Sequence, residues 1–413
     1  MNGRRIKTKH LKLMRYRLLL LVCIVSVAPL MLRGAEWKEL KLLKSYIKSS
    51  DIGKGRELVS KCIKDTNISR SAQLYMLATN LEVKANDAEN MKLYLHQKYD
   101  TTGFFNSVCN IFEYTLKEEN ILWATNQKKA QKKQRKNQDF LRRYYPNLFS
   151  GGLFFVKNKQ WSSANRLLSM YIDMTQSGYF DKEKSVAEAK LPRAAFWSMV
   201  SCYEDKNYEG VFKYQNLAES DSANFDYALQ YESMAYDKLR DTVNYVNSLR
   251  RGLDKSESSD YFFSRLNDFL NDTHNYREAR TLNDSLLVLF PNNKLYLFAQ
   301  TAVLFNLEMY DTCLEMANRL LSVDPDNIQV CYYIGLCWYN KGVGYESTLT
   351  PNPTSIQYKK RMKEVRQMYQ KAMPYLEKYK EAFPKENAKW QTPLYKIYFS
   401  LNMVGKLKEI ENS

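Results

Sequence analysis

The sequence predicts an all-α solenoid built from stacked helix pairs. Similar local patterns return every 34 residues, at Tyr208, Thr242, Tyr276 and Tyr310. Pro291 and Pro325 keep the same spacing, each 15 residues after a member of that series. The chain has only 10 prolines and 14 glycines in 413 residues, so helices meet few breakers. A fixed period in this range is typical of small units that cannot bury an apolar face alone and therefore stack on their neighbours.

Residues 1–35 are predicted to be a leader, separate from the fold. Seven lysines and arginines precede an apolar run from Leu18 to Leu32, and no acidic residue appears before Glu36. Because a membrane-spanning helix needs about 20 residues, the run favours a signal sequence over a span. An uncleaved N-terminal membrane anchor is the alternative. Cys23 follows the bulky Val22 and lies inside the apolar run, which argues against a lipidation signal.

Residues 36–125 are predicted to form an N-terminal helical region, either divergent repeats or a cap on the first repeat. Apolar residues recur there at intervals of three to five, as in short amphipathic helices. Residues 126–150 are predicted to be a basic helical connector. The basic residues from Lys128 to Arg143 could grip phosphate, but the interpretation as a solvated helix is favoured.

Residues 151–413 are predicted to be the repeat domain. The segment from Tyr310 to Pro325 has helical spacing and stops at proline, which cannot continue a helix. The segment from Ile328 to Gly342 is a second apolar helix, with Gly335 where two helices would need close approach. Its partner helix is displaced by an insertion at about 343–367, predicted as a loop followed from Ser355 by a helix extension.

This pattern resembles the tetratricopeptide repeat (TPR), a helix-turn-helix unit of 34 residues that reads L-G-x-x-Y, then A-x-x-x-F, then P. The matching positions are Ile334, Gly335, Trp338, Cys313, Ala317 and Pro325. The repeat beginning at Tyr276 is similar but has Asn283 where an apolar residue is usual, and the two earlier copies are degenerate. The resemblance implies a right-handed solenoid, of an exported bacterial type, whose first helices line a concave groove that binds other molecules.

The resemblance also implies which side chains face that groove. Eight aromatic residues are the candidate binding residues: Phe196, Tyr203, Tyr227, Tyr261, Phe298, Phe305, Tyr332 and Tyr339. Tyrosine combines an apolar ring with a polar tip, which suits a binding surface. Two alternatives stay open: the rings pack against the next repeat, or residues 343–357 fold back into the groove.

Six cysteines follow residue 35, an even number that would permit disulfides in an exported chain. Four of them fall at helix-packing positions, so buried thiols are favoured. Only three histidines occur in the chain, and none is near a cysteine or carboxylate cluster. We therefore expect no metal site, no cofactor and no catalytic constellation.

Net charge does not indicate a nucleic-acid partner. Eight basic residues of the formal +17 belong to the leader, and the remaining 54 basic and 45 acidic residues leave +9.

Taken together, the leader and the repeats predict a non-enzymatic scaffold in the periplasm or cell envelope that engages a protein or peptide segment. An N-terminal anchor in the inner membrane is the alternative location, with membrane contact through residues 1–35. The alternative function is an envelope solute- or glycan-binding component.

Overall fold

The computed structural model describes residues 38–180, 187–256, 259–349 and 354–411, and the predicted leader lies outside them. In these ranges all regular secondary structure is helical, as predicted. None of the helices in this part of the chain has both the length and the apolar character of a membrane span. The chain divides into two compact units. Of the described residues, one unit comprises 38–154 and 173–180, and the other comprises 155–172 and those from 187 onward.

The first unit contains five helices and shares the next two with the second unit. They are α1 (Lys38–Ser49), α2 (Ile52–Lys64), α3 (Ala72–Tyr94), α4 (Thr101–Thr125), α5 (Gln127–Arg142), α6 (Tyr145–Lys157) and α7 (Trp161–Gln176). A short 3-10 helix, Ile68–Arg70, precedes α3. The core between α1, α2 and α3 is aliphatic and includes Leu40, Leu43, Val59, Leu74 and Leu81.

Helix α5 carries the basic residues and is a packed part of the first unit. Asn126 caps it, its side chain accepting a hydrogen bond from the Lys129 amide at 3.0 Å. Ala130, Asn137 and Leu141 are buried. The Asn137 amide donates to Glu119 of α4 at 2.7 Å, so a polar contact fixes α5 against its neighbour.

The second unit is a solenoid of helix pairs. The first helices are α8 (Leu191–Glu204), α10 (Phe225–Leu239), α12 (Ser259–Asp272), α14 (Lys294–Asn306), α16 (Ile328–Ser347) and α18 (Asn387–Ser400). The second helices are α11 (Thr242–Lys255), α13 (Tyr276–Leu289), α15 (Tyr310–Val323), α17 (Ile356–Ala382) and α19 (Val404–Glu411). In the pair that begins with α8, a 3-10 helix (Glu209–Phe212) and a short α9 (Gln215–Ala218) replace the second helix.

The backbone conformation also repeats every 34 residues. Four residues that end first helices at 34-residue intervals have positive φ, between 56° and 62°: Lys206, Arg240, His274 and Glu308. At each, the chain leaves the helix through paired hydrogen bonds. At Arg240, for example, its amide bonds the Asp237 carbonyl and the next amide bonds the Tyr236 carbonyl, both at 3.0 Å. This is the arrangement by which helices end on a left-handed residue.

The insertion mainly lengthens two helices. The sequence predicts a loop from residue 343, but α16 continues to Ser347 and α17 begins at Ile356. The extension of α17 from Ser355 is confirmed, since the Ser355 hydroxyl accepts from the Tyr358 amide at 3.1 Å. The long helices stay in contact because Gly342 lets the Tyr369 ring approach where a Cβ would lie 2.6 Å from it. Residues 356 and 357 thus belong to a helix that packs on α16, and not to a segment folded into the groove.

All six cysteines after residue 35 are buried free thiols, which confirms the favoured interpretation. Cys313 of α15 donates to the Thr301 carbonyl at 3.3 Å. A hydrogen bond with Cys313, together with burial, raises the pKa of the Cys337 thiol strongly. These cysteines therefore act as small core side chains at the contacts between helices.

Candidate binding surface

The first helices of the pairs, α8, α10, α12, α14, α16 and α18, form one surface of the second unit, which we call the first-helix face. Most first helices lie in close contact with the first helix of the next pair, whereas the second helices of consecutive pairs are further apart. Closer spacing on one side means that the first helices lie on the inner side of the stack. The eight candidate rings all belong to these helices.

Two of those rings, on α8, pack against the next first helix. Phe196 and Tyr203 lie with ring centroids 6.4 and 5.3 Å from Tyr231 of α10. Phe196 is only 3% exposed, so a ligand cannot contact it without rearrangement. Tyr203 is half-buried. At this step the rings therefore pack against the next repeat, which is the first of the two alternatives that the sequence left open.

The same arrangement returns at α14. Phe298 and Phe305 lie 5.7 and 5.6 Å from Tyr333 of α16. Each of these residues stands 102 positions, or three repeats, after its counterpart in the first cluster. Sequence reasoning missed Tyr231 and Tyr333, although that spacing was the signal that could have found them.

The two rings on α16 contact α17, the second helix of their own pair. Tyr332 lies 5.0 Å from Tyr379, and Tyr339 lies 6.0 Å from Tyr369, centroid to centroid. The ammonium of Lys389 is 5.8 Å from the Tyr332 ring. Six of the eight candidate rings thus pack against rings of another helix, and the remaining two lie on α10 and α12.

Those two are Tyr227 of α10 and Tyr261 of α12. Tyr227 is 57% exposed, more than any other candidate ring. Tyr261 is half-buried, with the guanidinium of Arg265 3.7 Å from its ring centroid. Such a short distance is typical of a cation–π contact. Arg265 occupies the position that Tyr231 and Tyr333 hold in the ring clusters, so here a cation replaces the third ring.

The helices that carry these two rings also carry charged side chains, and we call Tyr227, Asp237, Tyr261, Arg265 and Asp268 the polar section of the first-helix face. Asp237 and Asp268 are exposed. Partial burial raises the pKa of Asp268, the charge of Asp272 adds to the rise, and Arg265 opposes it. This part of the face offers a cation, two carboxylates and an accessible ring.

One group in the polar section lacks a partner. The Tyr261 hydroxyl is buried and makes no hydrogen bond to any residue that the structure describes. Leaving a buried hydroxyl unpaired costs about 1–3 kcal/mol. If the Tyr261 side chain turned outward, a hydrogen-bond acceptor on a ligand could pair with this hydroxyl and remove the cost. Among the described ranges, no group of three histidine, cysteine or acidic residues has the geometry to hold a metal ion.

No protein-family model matches the chain, and no curated protein matches it. Solved structures do match, at low TM-scores. The C-terminal part of a TPR repeat-containing protein from Cytophaga hutchinsonii has TM-score 0.40 and 13% identity over 63% of this chain and 92% of that one. A TPR repeats protein from Bacteroides fragilis has TM-score 0.32 and 15% identity over 60% and 96%.

The human IFIT1 dimer with m7Gppp-AAAA also matches, with TM-score 0.35 and 13% identity over 79% of this chain and 71% of that one. At these identities the likeness concerns the helical-repeat fold and extends to no ligand. The helix pairs, the 34-residue period and the periodic left-handed turns are features of this chain itself. The fold of the chain is a TPR-like all-α solenoid.

Proposed function

We propose that this chain is a non-enzymatic scaffold that binds a protein or peptide segment on the first-helix face, at the polar section. Two observations carry the proposal: the Tyr261 hydroxyl of α12 is buried without a hydrogen-bond partner, and the Tyr227 ring of the preceding first helix, α10, is exposed. A peptide backbone supplies carbonyl acceptors for such a hydroxyl, and its side chains can rest on an exposed ring. Arg265, Asp237 and Asp268 would favour a bound segment whose charges are opposite to their own.

The ring clusters at α8–α10 and α14–α16 support the proposal indirectly. They stiffen the first helices on both sides of the polar section, because aromatic pairs at centroid distances of about 4.5–7 Å add to ordinary packing. A rigid surface loses less conformational entropy when it binds. We therefore place the ligand contacts at the polar section and assign the clustered rings to support.

We also propose that the protein acts in the cell envelope, either in the periplasm or held at the inner membrane. This proposal rests on the basic and apolar pattern of residues 1–35. A reporter fused after residue 35 would test it. Alkaline phosphatase activity is expected, because the enzyme forms its disulfides only after export, and a fusion protein that is made but inactive would contradict it.

The binding proposal can be tested by selecting peptides from a random displayed library on the full-length protein and measuring their affinity by fluorescence anisotropy. A Tyr227→Ala, Arg265→Ala variant removes one exposed ring and one cation from the polar section. We expect it to weaken the selected peptides at least about tenfold, the loss of one or two contacts of about 1–1.5 kcal/mol.

A matched control carries Val243→Ala and Arg277→Ala, exposed positions on the second helices α11 and α13. This variant should bind within about twofold of the wild type. Equal losses in both variants, or failure to select any peptide, would contradict the proposal. If soluble glycans instead displace the selected peptides and bind with the same dependence on Tyr227, the glycan-binding alternative replaces it.

A further inference from the structure

A second candidate site lies in the first unit and shares no residue with the first-helix face. The start of α3, the end of α4 and one side of α5 enclose a cleft of about 430 Å³. We call it the basic cleft, because four lysines of α5 line it: Lys129, Lys132, Lys133 and Lys136. They are spaced i, i+3, i+4 and i+7, which places all four on one side of the helix.

Among the described residues that line the cleft, Glu118 is the one that carries a carboxylate. Glu118 of α4 pairs with Lys133, Oε1 to Nζ 3.2 Å, and its side chain is only 8% exposed. Burial raises the pKa of Glu118, while Lys133 and Lys129 oppose the rise. Lys129, Lys132 and Lys136 are exposed, and no carboxylate within ion-pair distance of them is found among the described residues. The cleft therefore holds an excess of positive charge.

The arrangement is unfavourable for the protein alone. Like charges three or four residues apart on a helix repel each other and destabilise it. The sequence nevertheless places four in succession on the side of α5 that faces the cleft, while Ala130, Asn137 and Leu141 anchor the helix. A bound anion would neutralise the excess. The apolar side chains of Met76 and Leu122 also line the cleft, so it suits an anionic group attached to a less polar body.

We propose that the basic cleft binds a phosphate-bearing ligand, with Lys129, Lys132 and Lys136 as donors and Lys133 positioned by Glu118. Lysine ammonium groups bind phosphate as point charges with three donors each. The phosphate group is the shared chemistry of two sources, a soluble phosphate ester and a phospholipid headgroup. The site is independent of the proposed peptide-binding surface, since it lies in the other unit.

Calorimetric titration of the full-length protein at constant ionic strength tests the proposal. The probes are inorganic pyrophosphate, monomeric dihexanoyl phosphatidic acid and, as the lipid control, dihexanoyl phosphatidylcholine. We expect saturable binding of one pyrophosphate or phosphatidic acid and none of phosphatidylcholine. Lys129→Gln with Lys132→Gln should weaken binding at least about tenfold, because two charged donors are lost.

The matched control is Lys128→Gln with Arg135→Gln, which removes the same charge from α5 at exposed positions outside the cleft lining. It should bind within about twofold of the wild type. Tighter binding of pyrophosphate indicates a soluble ligand, and tighter binding of phosphatidic acid indicates a lipid headgroup.

Absence of saturable binding to both anionic probes overturns the proposal, as does equal weakening by the two variant pairs. A single-stranded oligonucleotide is the last probe in the calorimetric titration. If it binds more tightly than either small probe and both variant pairs weaken it equally, α5 is a general polyanion surface and the cleft has no specific role.

Discussion

At the scale of single residues, the left-handed positions show how a repeat can keep its turn without keeping its sequence. Lys206, Arg240, His274 and Glu308 share no side-chain chemistry, yet all have φ near 60°. An L-residue in this conformation costs roughly 1 kcal/mol more than glycine. The hydrogen bonds that close each helix end compensate for that cost, so the turn tolerates many side chains.

Replacing Glu308 by glycine should therefore stabilise the protein. We expect the free energy of unfolding to rise by about 0.5–1 kcal/mol, measured by urea denaturation. Glu315→Gly is the matched control, an exposed glutamate in the interior of α15, where glycine should destabilise by a similar amount. Changes of the same sign in both variants would show that the turn conformation is not the cause.

Glu232 links stability to pH. It is 4% exposed and pairs with Arg251, which also contacts Glu219 at 3.0 Å. Loss of hydration raises the pKa of Glu232 to about 7 despite the attraction of Arg251. Because the folded protein favours the protonated carboxyl, the stability that this residue contributes is present below its ordinary pKa and is lost as pH rises through about 7.

Wild-type protein should accordingly lose about 2–3 kcal/mol of unfolding free energy from this group between pH 4.5 and pH 8. Glu232→Gln should remove that dependence, and Glu278→Gln, an exposed acid paired with Arg250, should retain it. Urea denaturation of the three proteins at both pH values makes the comparison. Parallel pH profiles for wild type and Glu232→Gln would refute this assignment.

At the scale of elements, glycine sets the distance between α16 and α17. The sequence predicts close approach at Gly335, and the structure confirms it. A Cβ there would lie 2.6 Å from Leu376 Cγ. Gly344 of the same helix has nothing within 4 Å of its Cβ position. One helix therefore provides both a crowded and an open glycine.

Gly335→Ala should destabilise the protein by about 1–3 kcal/mol, because α17 must shift to make room. Gly344→Ala should instead stabilise it by about 0.5–1 kcal/mol through helix propensity. Thermal unfolding followed by circular dichroism at 222 nm measures both. If Gly335→Ala is as stable as the wild type, the two helices are not held at the distance described.

Two tyrosines of α10 allow a structural role of a ring to be distinguished from a binding role. Tyr231 packs between Phe196 and Tyr203, whereas Tyr227 is 57% exposed. Tyr231→Ala should lower the free energy of unfolding by about 2–4 kcal/mol, since it removes a ring that joins two repeats. Tyr227→Ala should change it by less than about 0.5 kcal/mol. Chemical denaturation measures both free energies of unfolding. Equal losses in the two variants would mean that the ring clusters do not stabilise the fold more than an exposed ring does.

At the scale of the whole molecule, the six buried thiols report on opening of the fold. Cys62 and Cys109 lie in the first unit, and the other four lie in the second. In native conditions none of the six should react with Ellman's reagent within minutes, because each is buried and burial raises the pKa of several of them.

In urea all six should react, together with Cys23 if the leader is retained. Trypsin treatment under the same native conditions provides a control for partial unfolding. Rapid reaction of any of the six in protein that resists trypsin would show a thiol accessible in the folded state. Failure to react in urea without reductant would reveal a disulfide.

The prediction of the repeat domain depended on local information. Helix starts at Thr242, Tyr276 and Tyr310 recur because each turn and each apolar stripe is encoded within about 34 consecutive residues. Deviations from the expected structure were also local. Residues 343–347 read as a loop because they follow and contain glycine, but packing against the long α17 keeps them helical.

The sequence by itself thus determined the class of fold, the register of the repeats and the close approach at Gly335, and it favoured free thiols without deciding against disulfides. Only the tertiary structure decided which aromatic rings are available to a ligand. Helical periodicity places Phe196 and Tyr227 on comparable faces, but neighbours distant in sequence bury the first and leave the second exposed. Exposure depends on contacts between repeats, and these exist only once the repeats have stacked.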